Sequence, residues 1–200
     1  MNVFEEIYRK REWGNGSGAG SDPRATTGYR EFLQRFVVEN DIETVVDYGC
    51  GDWQFSRYVD WRKAQYLGLD VVPGLIARNS KQFGSDRVRF TLAPDDPTDL
   101  PEADLLIAKD VLQHLPNDEV AAFLNHASEA YRFTLITNCV WPKDELNRDI
   151  AKGDWRPLDV RVAPFSAAAT AVYAFCPPVS LSLRARKRQP PWKKVVLLLG

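Results

Sequence analysis

Residues 45–52 constrain the fold of this chain more than any other stretch. A β-branched strand over 44–47 leads through Asp47 into a turn with glycine at positions 49 and 51. Glycine has no Cβ, so it lets the backbone turn sharply and lets a ligand approach the main chain closely. The pattern therefore predicts a strand that ends at a ligand-binding turn.

Asp70 strengthens this interpretation. Residues 66–70 form a second predicted strand, and its terminal acid follows Gly51 by 19 residues. An acid at this spacing meets the ribose hydroxyls of a nucleoside that lies across the strand ends, and its two oxygens accept hydrogen bonds from both. Tight packing between a strand and a helix is the alternative explanation for a glycine turn alone, and Asp70 argues against it.

A dinucleotide is the competing ligand for such a turn. It requires a third glycine three residues after Gly51, where this chain has Gln54. The carboxylates of Asp47 and Asp52 would also repel a pyrophosphate, whereas they tolerate a cationic ligand. We therefore expect a nucleoside cofactor that carries positive charge, and an NAD-type oxidoreductase remains the alternative.

The rest of the chain alternates predicted helices and strands. Apolar residues at helical spacing from Thr27 onward predict a helix, and Asn117 is the predicted N-cap of a later one. Further helices are expected at 55–61 and 74–83, further strands at 88–92, 104–108 and 133–137, and a C-terminal hairpin from 179–183 and 195–199. This order predicts an α/β fold with a doubly wound, mostly parallel seven-stranded sheet and an antiparallel C-terminal hairpin.

Composition limits the classes of protein to which the chain can belong. With 200 residues, 44% of them hydrophobic, we expect a single domain over residues 1–200. The net charge of −1 gives no general reason to expect a nucleic-acid or membrane partner, and three cysteines without CxxC spacing indicate neither disulfides nor a zinc site. No apolar stretch reaches the roughly 18 residues of a membrane span. We therefore expect a cytoplasmic protein.

Residues 1–26 form an N-terminal segment ahead of an α/β core over residues 27–200. Within this segment, residues 14–23 contain four glycines and a proline, a composition that predicts a flexible loop. The loop follows a short charged stretch that we expect to form a helix across the domain. The N-terminal segment is either a lid over the ligand or a simple tether.

These motifs resemble those of class I S-adenosylmethionine-dependent methyltransferases. Residues 47–51 look like motif I, residues 68–70 like motif II, and residues 104–115 like motif IV and the turn after it. Segments similar to those of uncharacterised bacterial members of the generic methyltransferase-domain branch are found at 7–18, 147–150 and 155–159. The resemblance implies that the cofactor is S-adenosyl-L-methionine.

The resemblance also implies which residues contact the cofactor. The turn residues are expected along its methionine moiety, and they are Asp47, Gly49, Cys50 and Gly51. Asp70 would hold the ribose, Val71 would touch the adenine, and Asp95 or Asp96 would approach the adenine amino group. Lys109 and Asp110 would lie below the sulfonium at the tip of the fourth strand. Trp53 replaces the third glycine of motif I and would narrow the pocket or stack on the methionine chain.

Catalytic and substrate-binding candidates follow the fourth and fifth strands. His114 lies four residues after Asp110, so an imidazole there is placed to take a proton from the acceptor, and a purely structural histidine is the alternative. Asn138, Trp141 and Arg156 follow the fifth strand and are candidate substrate contacts. A general base is not obligatory, because methyl transfer depends largely on positioning.

The acceptor is expected to be a small molecule. The stretch 109–112 lacks the motif of methyltransferases that act on the exocyclic nitrogen of bases, and 137–138 supplies only part of the metal-binding set of catechol-type relatives. We therefore expect no metal. A basic run over 184–194 keeps a non-catalytic cofactor- or RNA-binding module open as an alternative, although a solvated hairpin explains it better.

Overall fold

The computed structural model of the protein describes residues 2–14, 16–176 and 193–199. These residues form an α/β structure with four α-helices and seven strands. The helices are α1 (Val3–Lys10), α2 (Thr27–Glu39), α3 (Pro73–Phe83) and α4 (Asn117–Ala130). The strands are β1 (Thr44–Tyr48), β2 (Gln65–Asp70), β3 (Val88–Leu92), β4 (Leu105–Lys109), β5 (Phe133–Cys139), β6 (Ala169–Phe175) and β7 (Lys194–Leu199).

The seven described strands form one sheet in the order β3-β2-β1-β4-β5-β7-β6. Strands β1 to β5 run parallel, and β7 lies antiparallel between β5 and β6. Asp104 ties the two central strands together at their start, because its Oδ2 accepts hydrogen bonds from the backbone N–H groups of Glu43 and Thr44, each at 2.9 Å. The doubly wound, mostly parallel sheet predicted from the sequence is confirmed.

Two apolar clusters cover the two faces of the sheet. Successive strand residues point to opposite faces, so Leu106 packs with Phe123 of α4 while Ile107 packs with Leu33 of α2. All five residues of β4 are buried. This central strand therefore carries its C-terminal end into a site enclosed on both sides.

Two predicted elements differ in the structure. The helix expected at 55–61 is a single 3-10 turn over Ser56–Tyr58, because Trp61 donates its Nε1–H to the Ser56 carbonyl (3.1 Å) and the chain leaves the helical path. Asn117 is the first residue of α4 and not its cap. Its side chain instead donates to the Asn147 carbonyl and accepts from Arg156.

The antiparallel C-terminal pair is confirmed, but one of its two strands lies elsewhere in the sequence than expected. Strand β7 occupies the predicted position, but its partner is β6, over residues that the sequence pattern did not mark as a strand. The predicted strand at 179–183 lies outside the described residues, as does most of the basic run. No helix within the described ranges has the length and apolar character needed to cross a membrane.

Candidate functional site

A cavity of about 430 Å³ opens at the C-terminal ends of β1, β2 and β4. In an α/β sheet ligands bind at this edge, in the crevice where the order of the strands reverses, here between β1 and β4. The N-terminal residues 4–21 contribute to the lining together with the ends of β5 and β7. The cavity thus has one end at the glycine turn after β1 and another between β4 and β7.

The glycine turn has the backbone that its sequence predicts. Gly49 and Gly51 have φ values of 74° and 57°, a region that favours glycine, and the Gly49 and Cys50 N–H groups both donate to the Leu69 carbonyl (2.8 and 2.9 Å). A Cβ on Gly49 would lie 2.3 Å from the Val111 side chain. Glycine is therefore required at position 49 for the turn to approach the chain that follows β4.

Asp70 lies at the end of β2, where both of its oxygens accept backbone hydrogen bonds. Oδ2 accepts from Gly51 N–H at 2.9 Å and Oδ1 from Val72 N–H at 3.0 Å. Burial raises the pKa of this carboxyl to about 6, against the effect of these hydrogen bonds. Each oxygen keeps a further lone pair for a hydroxyl. Asp70 therefore braces the glycine turn and offers acceptors to the cavity.

Asp47 is buried at the bottom of the same turn. Its Oδ2 accepts hydrogen bonds from the Tyr66 hydroxyl and, at 3.4 Å, from Ser56. Burial raises its pKa to about 6, and the Lys109 ammonium opposes the rise. The chain thus places two carboxylates with raised pKa values beside one cavity, an arrangement that favours a cationic ligand.

The edge beyond β2 and β3 completes this end of the cavity. Val71 and Asp95 line it, as the resemblance implies, together with Pro94. Asn2 donates from its side-chain amide to the Val71 carbonyl at 2.6 Å and so attaches α1 to this edge. The proline at position 94 leaves Asp95 at the cavity.

Two lysines and one aspartate form an ion cluster at the other end. Asp110 Oδ2 lies 2.7 Å from Lys109 Nζ, and its Oδ1 contacts Lys194 Nζ. The two lysine side chains are almost fully buried, at 2% and 4% exposure. Despite burial, these two ammonium groups lower the pKa of Asp110 to about 2. Asp110 therefore stays ionised and serves as the counterion of both lysines.

Lys194 belongs to the basic run that the sequence analysis placed on a solvated hairpin. The structure corrects this for Lys194, which is buried at the first position of β7 and lines the cavity. It pairs with Asp110 across 84 positions of sequence. No local pattern in the sequence indicates such a pairing.

The glycine-rich loop lies against the glycine turn. The Ser17 hydroxyl donates to Asp52 Oδ1 at 2.7 Å. Because its one proton is used there, Ser17 Oγ accepts from the Tyr8 hydroxyl at 2.8 Å and from the Asp52 N–H at 2.9 Å. Gly20 offers its carbonyl to Lys109 Nζ at 2.9 Å. A Cβ on Gly51 would lie 2.2 Å from Ser17 Oγ. The loop, expected to be flexible, is thus fixed to both ends of the cavity.

His114 lines the cavity in a 3-10 turn over Leu112–His114. Its Nδ1 lies 2.9 Å from the Asp154 carbonyl, and its ring packs on Trp13 with centroids 4.9 Å apart. Burial lowers its pKa to about 4, so the ring is neutral at pH 7. His114 and Asp110 both reach the cavity, as the spacing predicts, although the connecting turn is not an α-helix.

Four predicted site residues lie away from the cavity lining. Trp53 packs in the core on Tyr66, Phe83 and Phe90, because its positive φ of 55° turns it from the ligand edge. Arg156 is fully buried and donates to the Leu112 carbonyl and Asn117. Asn138 is buried without a hydrogen-bond partner among the described residues, and Trp141 is 41% exposed. None of the four is among the residues that line the cavity, so their predicted ligand contacts gain no support from its geometry.

Other residues of the cavity were not identified from the sequence. Gln113, Cys139, Lys152, Trp155 and Ser17 all line it. They come from the end of β5, the 3-10 turn after β4 and two loops, and Ser17, Gln113 and Trp155 lie in segments that the resemblance covers. The described residues include no cluster of three or more His, Cys, Asp or Glu side chains able to hold a metal ion.

Comparison with known families identifies the central part of the chain. Residues 45–132 match the family model of a methyltransferase domain, and this segment contains the glycine turn, Asp70 and the turn that bears His114. This central part of the chain is similar to a methyltransferase domain. The predicted family is thereby confirmed, and the strand order of the domain agrees with it. None of the curated proteins searched matches the sequence significantly.

Solved structures share the fold of this methyltransferase domain at low identity. A 1,6-didemethyltoxoflavin-N1-methyltransferase from Burkholderia thailandensis, solved with 1,6-didemethyltoxoflavin and S-adenosylhomocysteine, is 17% identical, with a TM-score of 0.65 over 98% of this chain and 85% of the other. An N-methyltransferase from Bradyrhizobium japonicum WM9, with S-adenosylhomocysteine, is 14% identical, with a TM-score of 0.63 over 98% of both chains. Magnesium protoporphyrin IX methyltransferase from Synechocystis PCC 6803 is 13% identical, with a TM-score of 0.59 over 100% and 96%.

Proposed function

We propose that the protein transfers the methyl group of S-adenosyl-L-methionine to a small-molecule acceptor. The observation that carries the proposal is Asp70, which lies at the cavity and is bonded through its carboxylate to the N–H of Gly51 in the glycine turn. The similar solved structures named above contain S-adenosylhomocysteine and include enzymes named for small-molecule acceptors. The limited volume of the cavity, about 430 Å³, also favours a small acceptor.

The residues of the cavity fit this cofactor. Asp70 has lone pairs for two ribose hydroxyls, and Gly49 and Gly51 leave room for the methionine moiety where side chains would not fit. Val71 and Asp95, which line the cavity, would contact the adenine. The carboxylates of Asp47 and Asp70 attract a positively charged ligand. When bound, S-adenosylmethionine supplies an electrophilic methyl group on a sulfonium.

The other end of the cavity is where we propose that the acceptor binds. Lys109 is kept in place by Gly20 and Asp110, and its ammonium lies over the Phe55 ring at 4.9 Å. Trp13, Trp155 and His114 add aromatic rings to the cavity lining. An aligned nucleophile in a dry cavity is the main requirement for an in-line methyl transfer.

Calorimetry of the intact chain with S-adenosylhomocysteine and, separately, NAD tests the proposal. We expect S-adenosylhomocysteine to bind with a micromolar dissociation constant and NAD to bind at least tenfold more weakly, because Gln54 stands where a pyrophosphate site needs glycine. Tighter binding of NAD would overturn the proposal and restore the oxidoreductase alternative. Failure of both to bind would contradict any nucleoside site at the glycine turn.

A further inference from the structure

The ion cluster between β4 and β7 contains more positive than negative charge. Lys109 and Lys194 contact different oxygens of the Asp110 carboxylate, and both lysine side chains are almost fully buried. All three residues line the cavity. Residues 177–192, which precede Lys194 in the chain, contain no aspartate or glutamate, so they add no further side-chain carboxylate. Two ammonium groups and one carboxylate leave one positive charge in excess.

The other acids of the cavity lining do not supply the missing negative charge. Glu119 pairs with Lys152 at 2.8 Å, and the half-exposed Glu12 lies 4.0 Å from Lys10. The remaining acids of the lining lie at the end beside the glycine turn, and they are Asp47, Asp70 and Asp95. In the proposed function these three carboxylates face the cofactor. The excess positive charge at the other end therefore attracts an anionic ligand.

The glycine-rich loop covers one side of the cluster. A Cβ on Gly20 would lie 2.9 Å from Asp110 Oδ2 and 3.3 Å from Lys194 Nζ. Burial lowers the pKa of Lys109, and the Lys194 ammonium adds to the fall, while Asp110 and Asp47 oppose it. A buried charge without enough counterions is costly. A ligand that brings one negative charge removes this cost.

We propose that Lys109 and Lys194 bind a carboxylate of the methyl acceptor, which is thus a small molecule that carries one carboxylate. This inference rests on the proposed methyltransferase function, and it adds the chemical class of the acceptor. Asp110 holds both ammonium groups at the cavity. Trp13 and Trp155 in the same lining suit an apolar or aromatic body of such a molecule.

A carboxylate matches the cluster better than a phosphate does. A carboxylate carries one negative charge, equal to the excess, whereas a phosphate monoester carries about 1.5 to 2 negative charges at pH 7. Phosphate sites are also commonly built from backbone N–H groups at the start of a helix. In this cluster the donors are two lysine side chains on strands.

The position of Lys194 favours the acceptor over the carboxylate of the cofactor. Lys194 begins β7 and lies opposite Cys139 at the end of β5. Strand β7 is three strands away from β1, which leads into the glycine turn, and this separation is roughly 14 Å at about 4.8 Å per strand. Lys194 is thus the member of the pair that lies farther from the glycine turn, at the end where we propose that the acceptor binds.

Fluorine magnetic resonance with 4-fluorobenzoate and 4-fluorobenzamide tests the charge of the ligand. The two probes have nearly the same shape, and only the first is an anion. With saturating S-adenosylhomocysteine added to the intact chain, we expect 4-fluorobenzoate to bind at least tenfold more tightly than the amide, as measured by line broadening. Equal binding of the two probes, or no binding of 4-fluorobenzoate, would overturn the proposal.

Lys194→Met removes the excess charge and keeps the approximate length of the side chain. Lys109 and Asp110 remain as a balanced pair, so the variant should fold. We expect the dissociation constant for 4-fluorobenzoate to rise at least tenfold, while that for S-adenosylhomocysteine changes less than twofold. Lys152→Met is the matched control, because Lys152 lines the same cavity and is already balanced by Glu119, and it should change binding of 4-fluorobenzoate less than threefold. Equal losses in both variants would refute the role of the cluster.

The same titrations distinguish the possible sources of the anionic group. Tenfold weaker binding of S-adenosylhomocysteine to Lys194→Met, with 4-fluorobenzoate unaffected, would assign the cluster to the carboxylate of the cofactor and overturn the proposal. Displacement of 4-fluorobenzoate by inorganic phosphate at lower concentrations than by acetate would indicate a phosphate site and overturn it as well. Failure of S-adenosylhomocysteine to bind the unaltered chain would contradict the proposed function and, with it, the assignment to a methyl acceptor. The preference between the two fluorinated probes, measured without S-adenosylhomocysteine, reports the charge of the cluster separately.

Discussion

The two ends of the cavity hold their charged groups in different ways. At the end beside β1 and β2, Asp70 is fixed by backbone N–H groups within a turn of a few residues. At the other end, Lys109, Asp110 and Lys194 hold one another through side chains that come from two strands far apart in sequence. A backbone-built site survives most side-chain changes nearby, whereas a cluster of buried ions depends on every member.

The ends also differ in the ionisation of their carboxyl groups. Burial raises the pKa values of Asp47 and Asp70 to about 6, close to neutrality, while two ammonium groups lower that of Asp110 to about 2. Moderate acidification therefore protonates Asp47 and Asp70 at the first end, whereas Asp110 at the second end stays ionised. Four measurements test this contrast.

Removing the charge of Asp110 should have the largest effect. Asp110→Asn keeps the size of the side chain and tolerates the φ of 60°, but it leaves two buried ammonium groups without their carboxylate. We expect the free energy of unfolding at pH 7 to fall by about 3–5 kcal/mol in urea denaturation. Glu39→Gln, which breaks an exposed pair with Arg35, should cost less than about 1 kcal/mol. Similar losses in both variants would contradict the role of the cluster.

Asp70→Ala should weaken binding of S-adenosylhomocysteine by at least tenfold, about 1.4 kcal/mol, because it removes the ribose acceptors and the brace of Gly51 N–H. Titration calorimetry measures the change. Asp96→Ala is the control, since Asp96 is exposed and its carboxylate accepts hydrogen bonds from Thr98. Retained affinity in Asp70→Ala would mean that the ribose is held elsewhere.

Acidification should weaken cofactor binding through the same carboxylate. With a pKa raised to about 6, Asp70 is mostly ionised at pH 7 and mostly protonated at pH 5, so its capacity to accept two hydroxyls is present above pH 6 and is lost as the pH falls through it. We expect the dissociation constant for S-adenosylhomocysteine to rise roughly five- to tenfold from pH 7 to pH 5. In Asp70→Asn the dependence should be clearly shallower, and an unchanged slope would assign it to Asp47 instead.

Loosening the glycine-rich loop should have the smallest effect. Ser17→Ala removes the contacts of that hydroxyl with Tyr8 and Asp52 but leaves the bond from Lys109 to Gly20. We expect dissociation of S-adenosylhomocysteine in stopped flow to become roughly threefold faster, in proportion to the loss of about one net hydrogen bond. Ser85→Ala, at a turn before β3, should leave the rate unchanged. An unaltered rate in Ser17→Ala would favour a tether over a lid.

The same contrast explains what the sequence could predict. The turn at Gly49 and Gly51, the acid at Asp70 and five parallel strands have local signatures, because strand ends, glycine turns and apolar periods are encoded within a few residues. The pairing of Lys194 with Asp110 and the hydrogen bonds between Ser17 and Asp52 join residues that are far apart in sequence. Such contacts cannot be predicted from the spacing of residues. Trp53 was misplaced for a related reason: its backbone conformation, set by the turn, directs the ring into the core.

Strand β6 was missed because its pattern is weak. Its residues Ala169–Phe175 are mostly half-exposed or exposed, and it holds its place by pairing with β7 and by stacking of Tyr173 on Phe32 in α2. Sequence periodicity detects a strand by the apolar residues that it buries on one face. An edge strand that is rich in alanine has few such residues. Its assignment needs the tertiary contacts.

The position of β7 has a consequence for how the protein is made. This strand lies between β5 and β6 and carries Lys194, yet it is the last of the described strands in chain order. During synthesis β6 emerges before β7, its only described partner. Until β7 is made, Asp110 can pair with Lys109 but not with Lys194. The side of the cavity lined by Lys194 therefore forms only after β7 has left the ribosome and inserted into the sheet, whereas the residues of the glycine turn and Asp70 are synthesised more than a hundred residues earlier.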